Sequence, residues 1–388
     1  MDRALFAASD AGRVIRTRTG YDAFVPAGLP PTIGWDTRLA RAIESTARAI
    51  GEADALYAGE MQQPLHDLLL AKEACSVARV EGQPTSLDEL FSMKATGIAA
   101  SRGAKLALNY TLAFHHVESR LEEMPLSLRL LREAHYLLSQ GLEHSGSYPG
   151  EFRRSQNWLG PEGCGLAGAT LVPPPVEEMK LSLDNWENYL HATDSLPATA
   201  RMSALHCQFL MIRPFLEYND AVLLVMLPFV LHQMRLSATP IPAIGGFVGQ
   251  RLQEYQQRML DVCQRGAWEE WLAFYLYGIA AAFRHSTEAM RRLHDLQLRY
   301  AGLLTSADDL TREAMTAVWQ QPVLTIEAAS RLLHSSREGT AQTLSSLADV
   351  GVLQLRGQSE AAEYAAVDII AALEQGPAAF DGAYAPFF

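Results

Sequence analysis

Apolar residues recur at intervals of three to seven positions along most of the chain, with charged residues between them. The first such series starts after Thr37 and consists of Leu39, Ile43, Ala47, Ile50 and Leu56. This spacing predicts an amphipathic helix. Similar patterns continue to about residue 300, so a predominantly helical fold is expected. Thr85, just before the sequence LDE, is expected to cap one of these helices.

Two segments break the helical pattern. Residues 1–36 include the glycine- and proline-rich stretch GYDAFVPAGLPP and predict an ordered arm of extended and turning chain. Residues 146–175 are also rich in glycine and proline, which predicts a loop with a short hairpin at about 160–168. Long ordered loops in helical domains are commonly functional.

A separate pattern follows a linker at residues 301–302. From about residue 306 to 374 it predicts a helix, a strand-like turn, two more helices and a two-stranded wing. Gly351 lies where the third of these helices needs a C-terminal glycine. This order is typical of a winged helix.

Composition narrows the classes of function. The chain has 388 residues, with 32 basic against 44 acidic ones and a net charge of -12. The acidic balance argues against a general nucleic-acid coat or a binder of anionic membranes. The longest apolar runs are too short for a bilayer span, which needs about 20 residues. Four cysteines without CxxC spacing indicate neither a zinc site nor a disulfide framework. A cytoplasmic protein without a metal site or membrane partner is expected.

The most informative stretch is RMSALHCQFLMIRPFLEYNDAVLLVMLPFVL at residues 201–231. It predicts an apolar helix, a break at Pro214, a short polar loop at 217–220 and a second apolar helix. It resembles the active-site region of the Fic family, whose motif is His-Pro-Phe-x-Asp/Glu-Gly-Asn-Gly-Arg-x-x-Arg. The blocks GEFRRSQNWLG, TLVPPPVEEM and LQEYQQRMLDVCQRGAWEEWLAFYLYGI resemble other parts of the family in the same order, so the resemblance covers nearly the whole chain.

The resemblance implies an all-α fold, namely a Fic-like helical domain with a small flap or hairpin, followed by a C-terminal winged helix. It divides the chain into an arm at 1–36, a helical region at 37–145 with a remnant inhibitory helix near 72–82, a Fic-like core at 146–300, and a winged helix with a tail at 301–388. The family transfers AMP, or another phosphate-linked moiety, from a nucleotide onto a target hydroxyl.

The motif departs from the family pattern where the chemistry takes place. The catalytic histidine falls on Arg213, which stays protonated and cannot act as a base. Phe215, Asn219 and the metal-holding carboxylate, Glu217, are retained. The two glycines and two arginines of the family fall on Tyr218, Asp220, Ala221 and Leu224.

These replacements act against phosphate binding. Asp220 can cap the helix N–H groups itself and would repel a phosphate by roughly 1–4 kcal/mol. Tyr218 lacks the freedom of glycine at positive φ. Conventional AMP transfer is therefore not expected, and neither Mg nor ATP is predicted as a cofactor.

A second family element lies upstream, where an inhibitory helix carries Ser/Thr-x-x-x-Glu-Gly. Glu81 matches its glutamate, but Val77 replaces the hydroxyl residue and Leu224 replaces the arginine that would pair with the glutamate. A buried, unpaired carboxylate is costly. Arg213 is therefore expected to pair with at least one of Glu81, Glu217 and Asp220.

The candidate catalytic residues are Arg213, Glu217 and Asp220. The candidate ligand-binding residues are Tyr218, Asn219, Glu81, His206 and Arg154. Each also has a purely structural interpretation: the loop can simply cap a helix, His206 can be a buried core residue, and Arg154 can be surface charge. Gln156 and Asn157 are expected to fix loop backbone.

Two hypotheses of function remain open. The first is a divergent enzyme whose rebuilt cleft acts on a small anionic substrate, held by Arg213, with Glu217 or Asp220 as acid or base. The second is a catalytically inactive Fic pseudoenzyme that binds a partner protein or regulates transcription. AMP transfer through unconventional residues is a third.

The winged helix has little positive charge for holding DNA. Residues 311–368 carry four arginines against seven acids, and Arg337 is the one basic residue of the expected recognition helix. DNA binding is thus expected to be weak, and packing or homodimer formation is the preferred role.

Overall fold

The structure is a computed structural model that describes residues 1–57, 62–142, 148–193, 195–305, 307–357 and 362–375. Its helices are α1 (Thr37–Tyr57), α2 (Gln62–Val80), α3 (Leu87–Thr96), α4 (Arg102–Arg120), α5 (Leu128–Ser139), α6 (Val176–His191), α7 (Ala198–Ile212), α8 (Asn219–Gln233), α9 (Gly245–Gln250), α10 (Leu252–Arg265), α11 (Trp268–Leu303), α12 (Asp309–Gln320), α13 (Ile326–Leu332), α14 (Arg337–Asp349) and α15 (Val367–Glu374). The strands are β1 (Gly12–Arg16), β2 (Asp22–Pro26), β3 (Val323–Thr325), β4 (Gln354–Arg356) and β5 (Glu363–Ala365). The predicted predominantly helical class is confirmed.

Two apolar helices form the centre of the molecule. Nearly every residue of α7 and α8 is buried, which agrees with their almost continuously apolar sequence. Around them, α11 runs for 36 residues, or about 54 Å, and packs along α1. The hydroxyl of Thr46 in α1 donates to the Leu276 carbonyl of α11 at 2.8 Å. The loop between α7 and α8 is therefore held by two helices that are themselves fixed in the core.

The arm forms a regular hairpin. Strands β1 and β2 pair antiparallel with Gly12 opposite Pro26, and the Phe24 N–H donates to the Val172 carbonyl at 2.8 Å. The hairpin predicted at 160–168 takes a different form. Those residues contain a 3-10 turn, and one antiparallel bridge between Leu159 and Leu171 closes the loop. Glycine and proline predicted the loop correctly, whereas regular strand pairing occurs in the arm and not at 160–168.

The cap of α3 is one residue later than predicted. Ser86, in extended conformation, accepts a hydrogen bond from the Glu89 N–H at 3.1 Å. Thr85 instead places its hydroxyl on the Glu89 carboxylate at 2.5 Å. Either residue type can cap a helix, and backbone geometry selects the one directly before the first helical residue.

The C-terminal elements follow the order helix, strand, helix, helix, strand, strand. Their sheet has the order β3-β5-β4 and is antiparallel. Gly351 has a φ of 78°, as expected for a glycine after α14. The turn of the predicted wing at 358–361 and the tail after residue 375 lie outside the described residues. The winged-helix assignment stays an interpretation of this order.

These elements pack directly on the rest of the chain. Helix α15, which the sequence analysis did not predict, lies against α11, where Nε of Arg292 donates to the Ala372 carbonyl at 3.0 Å. Helix α11 also continues past the boundary expected at residue 300, while the boundary expected at 145–146 lies outside the described ranges. In the described part of the chain, no helix is long and apolar enough to cross a membrane.

Candidate functional site

The motif loop, residues 213–218, begins and ends with left-handed backbone. Arg213 has a φ of 43° and Tyr218 a φ of 55°. Between them, the Asn219 amide accepts from the Phe215 N–H at 3.0 Å and donates to the Phe215 carbonyl at 2.9 Å. Tyr218 thus adopts a conformation that glycine reaches more easily, at a cost of about 1–2 kcal/mol. The loop keeps its turn despite the lost glycine.

The long loop before α6 holds the motif loop from outside. Arg153 is 1% exposed, and its Nε donates to the Arg213 carbonyl at 2.9 Å. Its Nη2 donates to the carbonyls of Ile212 and Pro174. The Asn157 amide donates to the Arg213 carbonyl at 3.2 Å. Asn157 therefore fixes loop backbone as expected, while the role of Arg153 was not predicted from its position beside Arg154.

His135 of α5 supports the other side of the loop and was also not predicted. Its ring stacks on Phe215 with 3.9 Å between the ring centroids. Nδ1 accepts from the Gly150 N–H at 3.0 Å, so Nε2 carries the proton and donates to the Glu217 carbonyl at 3.2 Å. Burial lowers the pKa of His135 to about 4. The sequence signal that could have identified His135 is its position on the buried face of an amphipathic helix.

Charged side chains meet at the start of α8. Nη1 of Arg213 lies 3.5 Å from Oδ2 of Asp220, so Arg213 pairs with one of the three acids named for it. The Ala221 N–H donates to Oε1 of Glu81 at 2.8 Å. Burial and the Asp220 charge raise the pKa of Glu81 to about 8, against the opposing effects of the Ala221 hydrogen bond and of Arg213.

The cap of α8 differs from the one expected. Tyr218, at the N-cap position, makes no side-chain hydrogen bond to the helix. The expectation that Asp220 supplies the cap was wrong, since Asp220 turns to Arg213 and the carboxyl of Glu81 reaches the helix from the end of α2. A helix start attracts any nearby carboxyl group, and the packing of α2 brings Glu81 there.

Glu217 faces a different space. Together with Tyr218 and His135 it lines a cavity of about 10 Å³, which holds about one water molecule. Arg213, Asp220 and Glu81 do not line this cavity. The three candidate catalytic residues therefore do not share this cavity.

Sequence comparison supports the arrangement of α5 to α8. Residues 125–231 match the family model described as the Fic/DOC family. The chain carries a Fic/DOC domain.

Two solved structures share its fold. A Fic family protein from Desulfovibrio desulfuricans G20 is 14% identical, with a TM-score of 0.56, and the match covers 87% of this chain and 98% of that one. A Fic domain containing signaling protein from Bacteroides thetaiotaomicron VPI-5482 is 12% identical, with a TM-score of 0.50, over 64% of this chain and 97% of that one. At these identities the likeness concerns the fold alone.

Two further candidates lie away from the motif loop of this Fic domain. His206 is buried in the core, where Nε2 lies 2.7 Å from the Tyr255 hydroxyl and Nδ1 lies 2.6 Å from the Tyr275 hydroxyl. Burial lowers its pKa to about 3, so the ring is neutral. Arg154 is at the surface, with 72% of its side chain exposed and Nη2 3.9 Å from Glu151. Both occupy the structural roles named as alternatives above.

Within the ranges that the structure describes, no group of three or more His, Cys, Asp or Glu side chains could hold a metal ion. Glu217, the carboxylate that the family resemblance links to Mg²⁺, lies beside Tyr218 and His135 rather than beside further acids.

Proposed function

We propose that this Fic-fold chain is a pseudoenzyme that does not transfer AMP and serves as a binding or regulatory protein. One observation carries the proposal: Oε1 of Glu81 accepts a hydrogen bond from the Ala221 N–H at 2.8 Å. A phosphate group bound at the start of α8 would need that N–H and the positive end of the helix. In this chain a carboxyl group of its own occupies the position.

The remaining groups do not fit Mg·ATP either. Asp220 adds a negative charge at the same helix end, and Arg213 is already paired with it. Ala221 and Leu224 replace the two phosphate-binding arginines, and both are fully buried. Every one of these differences weakens the attraction for a triphosphate, so their effects on binding add in the same direction.

Polar side chains next to the motif loop are used on backbone groups of the loop. Asn219 uses both ends of its amide on Phe215, and Arg153 uses its guanidinium on backbone carbonyls. A small-molecule site needs polar groups that converge on a pocket large enough for the ligand, and pockets for drug-sized ligands measure about 300–1,000 Å³. The cavity at Glu217 is far smaller, which supports a structural role for the loop.

A protein is the partner that the charge distribution favours. The chain is acidic overall, with a net charge of -12. Residues 311–368 contain four arginines and seven acidic residues. DNA affinity depends largely on neutralising phosphates with basic side chains. The C-terminal elements are therefore proposed to contact protein rather than DNA.

The test combines calorimetric titration with Mg·ATP and an assay for transfer of labelled AMP. The wild type, Glu81→Gly and Arg213→His are each expected to bind ATP no tighter than about 1 mM, or about 4 kcal/mol, and to incorporate no label. A variant that also carries Tyr218→Gly, Asp220→Gly, Ala221→Arg and Leu224→Arg rebuilds the anion site and serves as the comparison. Micromolar binding or AMP transfer by the wild type would overturn the proposal.

A divergent enzyme is the second candidate, favoured by the raised pKa of Glu81. A carboxyl group with a pKa of about 8 carries its proton at neutral pH and can act as a general acid beside Arg213. In this alternative Arg213 holds an anionic substrate, and Glu217 or Asp220 also transfers protons. Turnover of a small anionic compound that is lost in both Arg213→Ala and Glu217→Gln, with unchanged circular dichroism, would establish the enzyme and exclude the pseudoenzyme.

A further inference from the structure

A second cavity lies between α2, α9 and α11, away from the motif loop. Its volume is about 130 Å³, and its lining includes Lys72, Arg79 and His285. No residue of the motif loop lines it. Lys72 precedes Glu81 by nine residues, which is about 13 Å along a helix axis and half a turn around it, so the two sites are separate.

An amine and an imidazole are in direct contact in this cavity. Nζ of Lys72 lies 2.6 Å from Nε2 of His285, joining α2 to α11. Both residues are partly exposed, so a small molecule can reach them. A lysine usually pairs with a carboxylate, whereas a neutral imidazole nitrogen can accept a hydrogen bond from the lysine nitrogen.

Glu73, the acidic residue next to Lys72 in the sequence, binds a backbone N–H group. Oε1 of Glu73 accepts from the Gly245 N–H at 2.6 Å, and burial raises the pKa of Glu73 to about 7. A Cβ atom at Gly245 would lie 3.0 Å from that oxygen and 2.9 Å from Val77. Glycine therefore allows the close approach that keeps Glu73 on the backbone and leaves His285 as the hydrogen-bond partner of Lys72.

Burial and neighbouring charges favour the neutral forms of the pair. Burial and the charge of Arg292 lower the pKa of Lys72 to about 8, while Glu73 and Glu288 oppose this shift. Burial, Lys72 and Arg292 lower the pKa of His285 to about 4. At pH 7 roughly 10% of Lys72 is then free amine, against roughly 0.03% of a lysine with a pKa of 10.5.

We propose that Lys72 is a nucleophilic amine that forms a Schiff base with a small 2-oxo acid in this cavity. The amine lone pair forms a bond to the keto carbon, and the carbonyl electron pair moves to oxygen, which takes up a proton from solvent. His285 accepts the proton that the lysine nitrogen loses. It returns the proton to the hydroxyl group, which leaves as water when the carbon–nitrogen double bond forms.

The dimensions and charges of the cavity indicate the class of ligand. A volume of about 130 Å³ admits a molecule of only a few carbon atoms. Glu73 and Glu374 line the same cavity as Arg79, and Arg79 offers a guanidinium for a carboxylate. A carbonyl compound with its own carboxylate, such as pyruvate, matches both groups.

Reductive trapping tests the proposal on the full chain. The protein is incubated with pyruvate and sodium cyanoborohydride, and the modified lysines are located by peptide mass spectrometry. The chain has four lysines, Lys72, Lys94, Lys105 and Lys180. Lys94 is the matched control, because burial also lowers its pKa but it lies over the Phe91 ring outside the cavity. Modification of Lys72 is expected to be at least about tenfold faster than that of the others.

Variants separate the roles within the site. His285→Asn is expected to slow trapping at Lys72, and Arg79→Gln is expected to slow it with pyruvate but not with acetaldehyde. The map of modified lysines in the wild-type protein does not depend on any variant. It therefore tests the proposal even if a substitution disturbs folding. Equal modification of all lysines, or preference for Lys94 or Lys180, would show that Lys72 is not the reactive amine. Trapping of acetaldehyde but not pyruvate at Lys72 would overturn the ligand class.

Discussion

At the scale of single residues, Glu81 connects the end of α2 to the start of α8. Its carboxyl group accepts from the Ala221 N–H and lies within the electrostatic influence of Asp220, Arg213 and Glu217. Burial is the largest cause of the raised pKa of Glu81, and the two acidic neighbours add to it, so the proton is retained to a higher pH than in an isolated glutamate. The helix start of α8 is thus stabilised by a group that is neutral at pH 7.

The first prediction concerns pH. The folded pKa of Glu81, about 8, exceeds the ordinary value of 4.5, so the folded state holds the proton more tightly than the unfolded state. The Glu81 contribution to stability is therefore full below about pH 4.5 and is lost as the pH rises towards 8. In Glu81→Gln, which keeps the acceptor, the free energy of unfolding should exceed that of wild type by on the order of 2 kcal/mol more at pH 8 than at pH 5.

Urea denaturation at several pH values measures this difference. Glu73 also titrates in this range but is present in both proteins, so its effect cancels. Glu177→Gln, at a side chain that is 85% exposed, is the control and should show no such pH dependence. Parallel curves for Glu81→Gln and wild type would contradict the assigned role.

At the scale of elements, the motif loop depends on the loop before α6. Adjacent arginines of that loop have opposite environments: Arg153 is 1% exposed, whereas Arg154 has 72% of its side chain exposed. Arg153 donates to backbone carbonyls at the end of α7. These carbonyls have no partner within their own helix, because the last turn of a helix leaves such groups unsatisfied.

The second prediction compares the two arginines. Arg153→Lys should lower the free energy of unfolding by about 2–4 kcal/mol, because an ammonium group cannot match the several donors of a planar guanidinium. Arg154→Lys is the matched control and should change it by no more than about 0.5 kcal/mol. Chemical denaturation measures the free energy of unfolding of both variants. Equal changes in the two variants would show that Arg153 does not hold the loop.

At the scale of the whole molecule, the C-terminal elements share one continuous apolar core with the Fic domain. Leu373 of α15 is fully buried, and its helix packs against α11 and α2. Ser92 of α3 donates to Oε2 of Glu363 in β5 at 2.9 Å. A core that crosses the expected domain boundary favours unfolding as a single unit.

The third prediction is therefore cooperative unfolding. Thermal transitions followed by circular dichroism and by tryptophan fluorescence should coincide. Leu373→Ala should destabilise the whole chain by about 2–5 kcal/mol and shift both signals together. Leu332→Ala, at a 49% exposed position of α13, should change stability by no more than about 0.5 kcal/mol. A separate early transition in Leu373→Ala would show that the C-terminal elements unfold alone.

Local sequence pattern predicted many helices and turns of this protein, but not α15 or the pairing of β1 with β2. Helical spacing located the start of α1 at Thr37, and the order of glycines and apolar runs predicted the order of the C-terminal elements. The break at Pro214 marked the loop between α7 and α8. Periodicity and turn residues act over a few positions, so they can be read without knowledge of the packing.

Contacts between distant residues required the tertiary structure. Glu81 and Ala221 are 140 positions apart, and no local pattern shows that α2 would bring a carboxyl group to the start of α8. The same holds for His206 between two tyrosines and for Arg153, whose sequence neighbour Arg154 is chemically identical but exposed. The sequence by itself determined which residues are helical and where the chain turns. Which polar groups are buried together, and hence which of them pair, follows from the packing of whole helices.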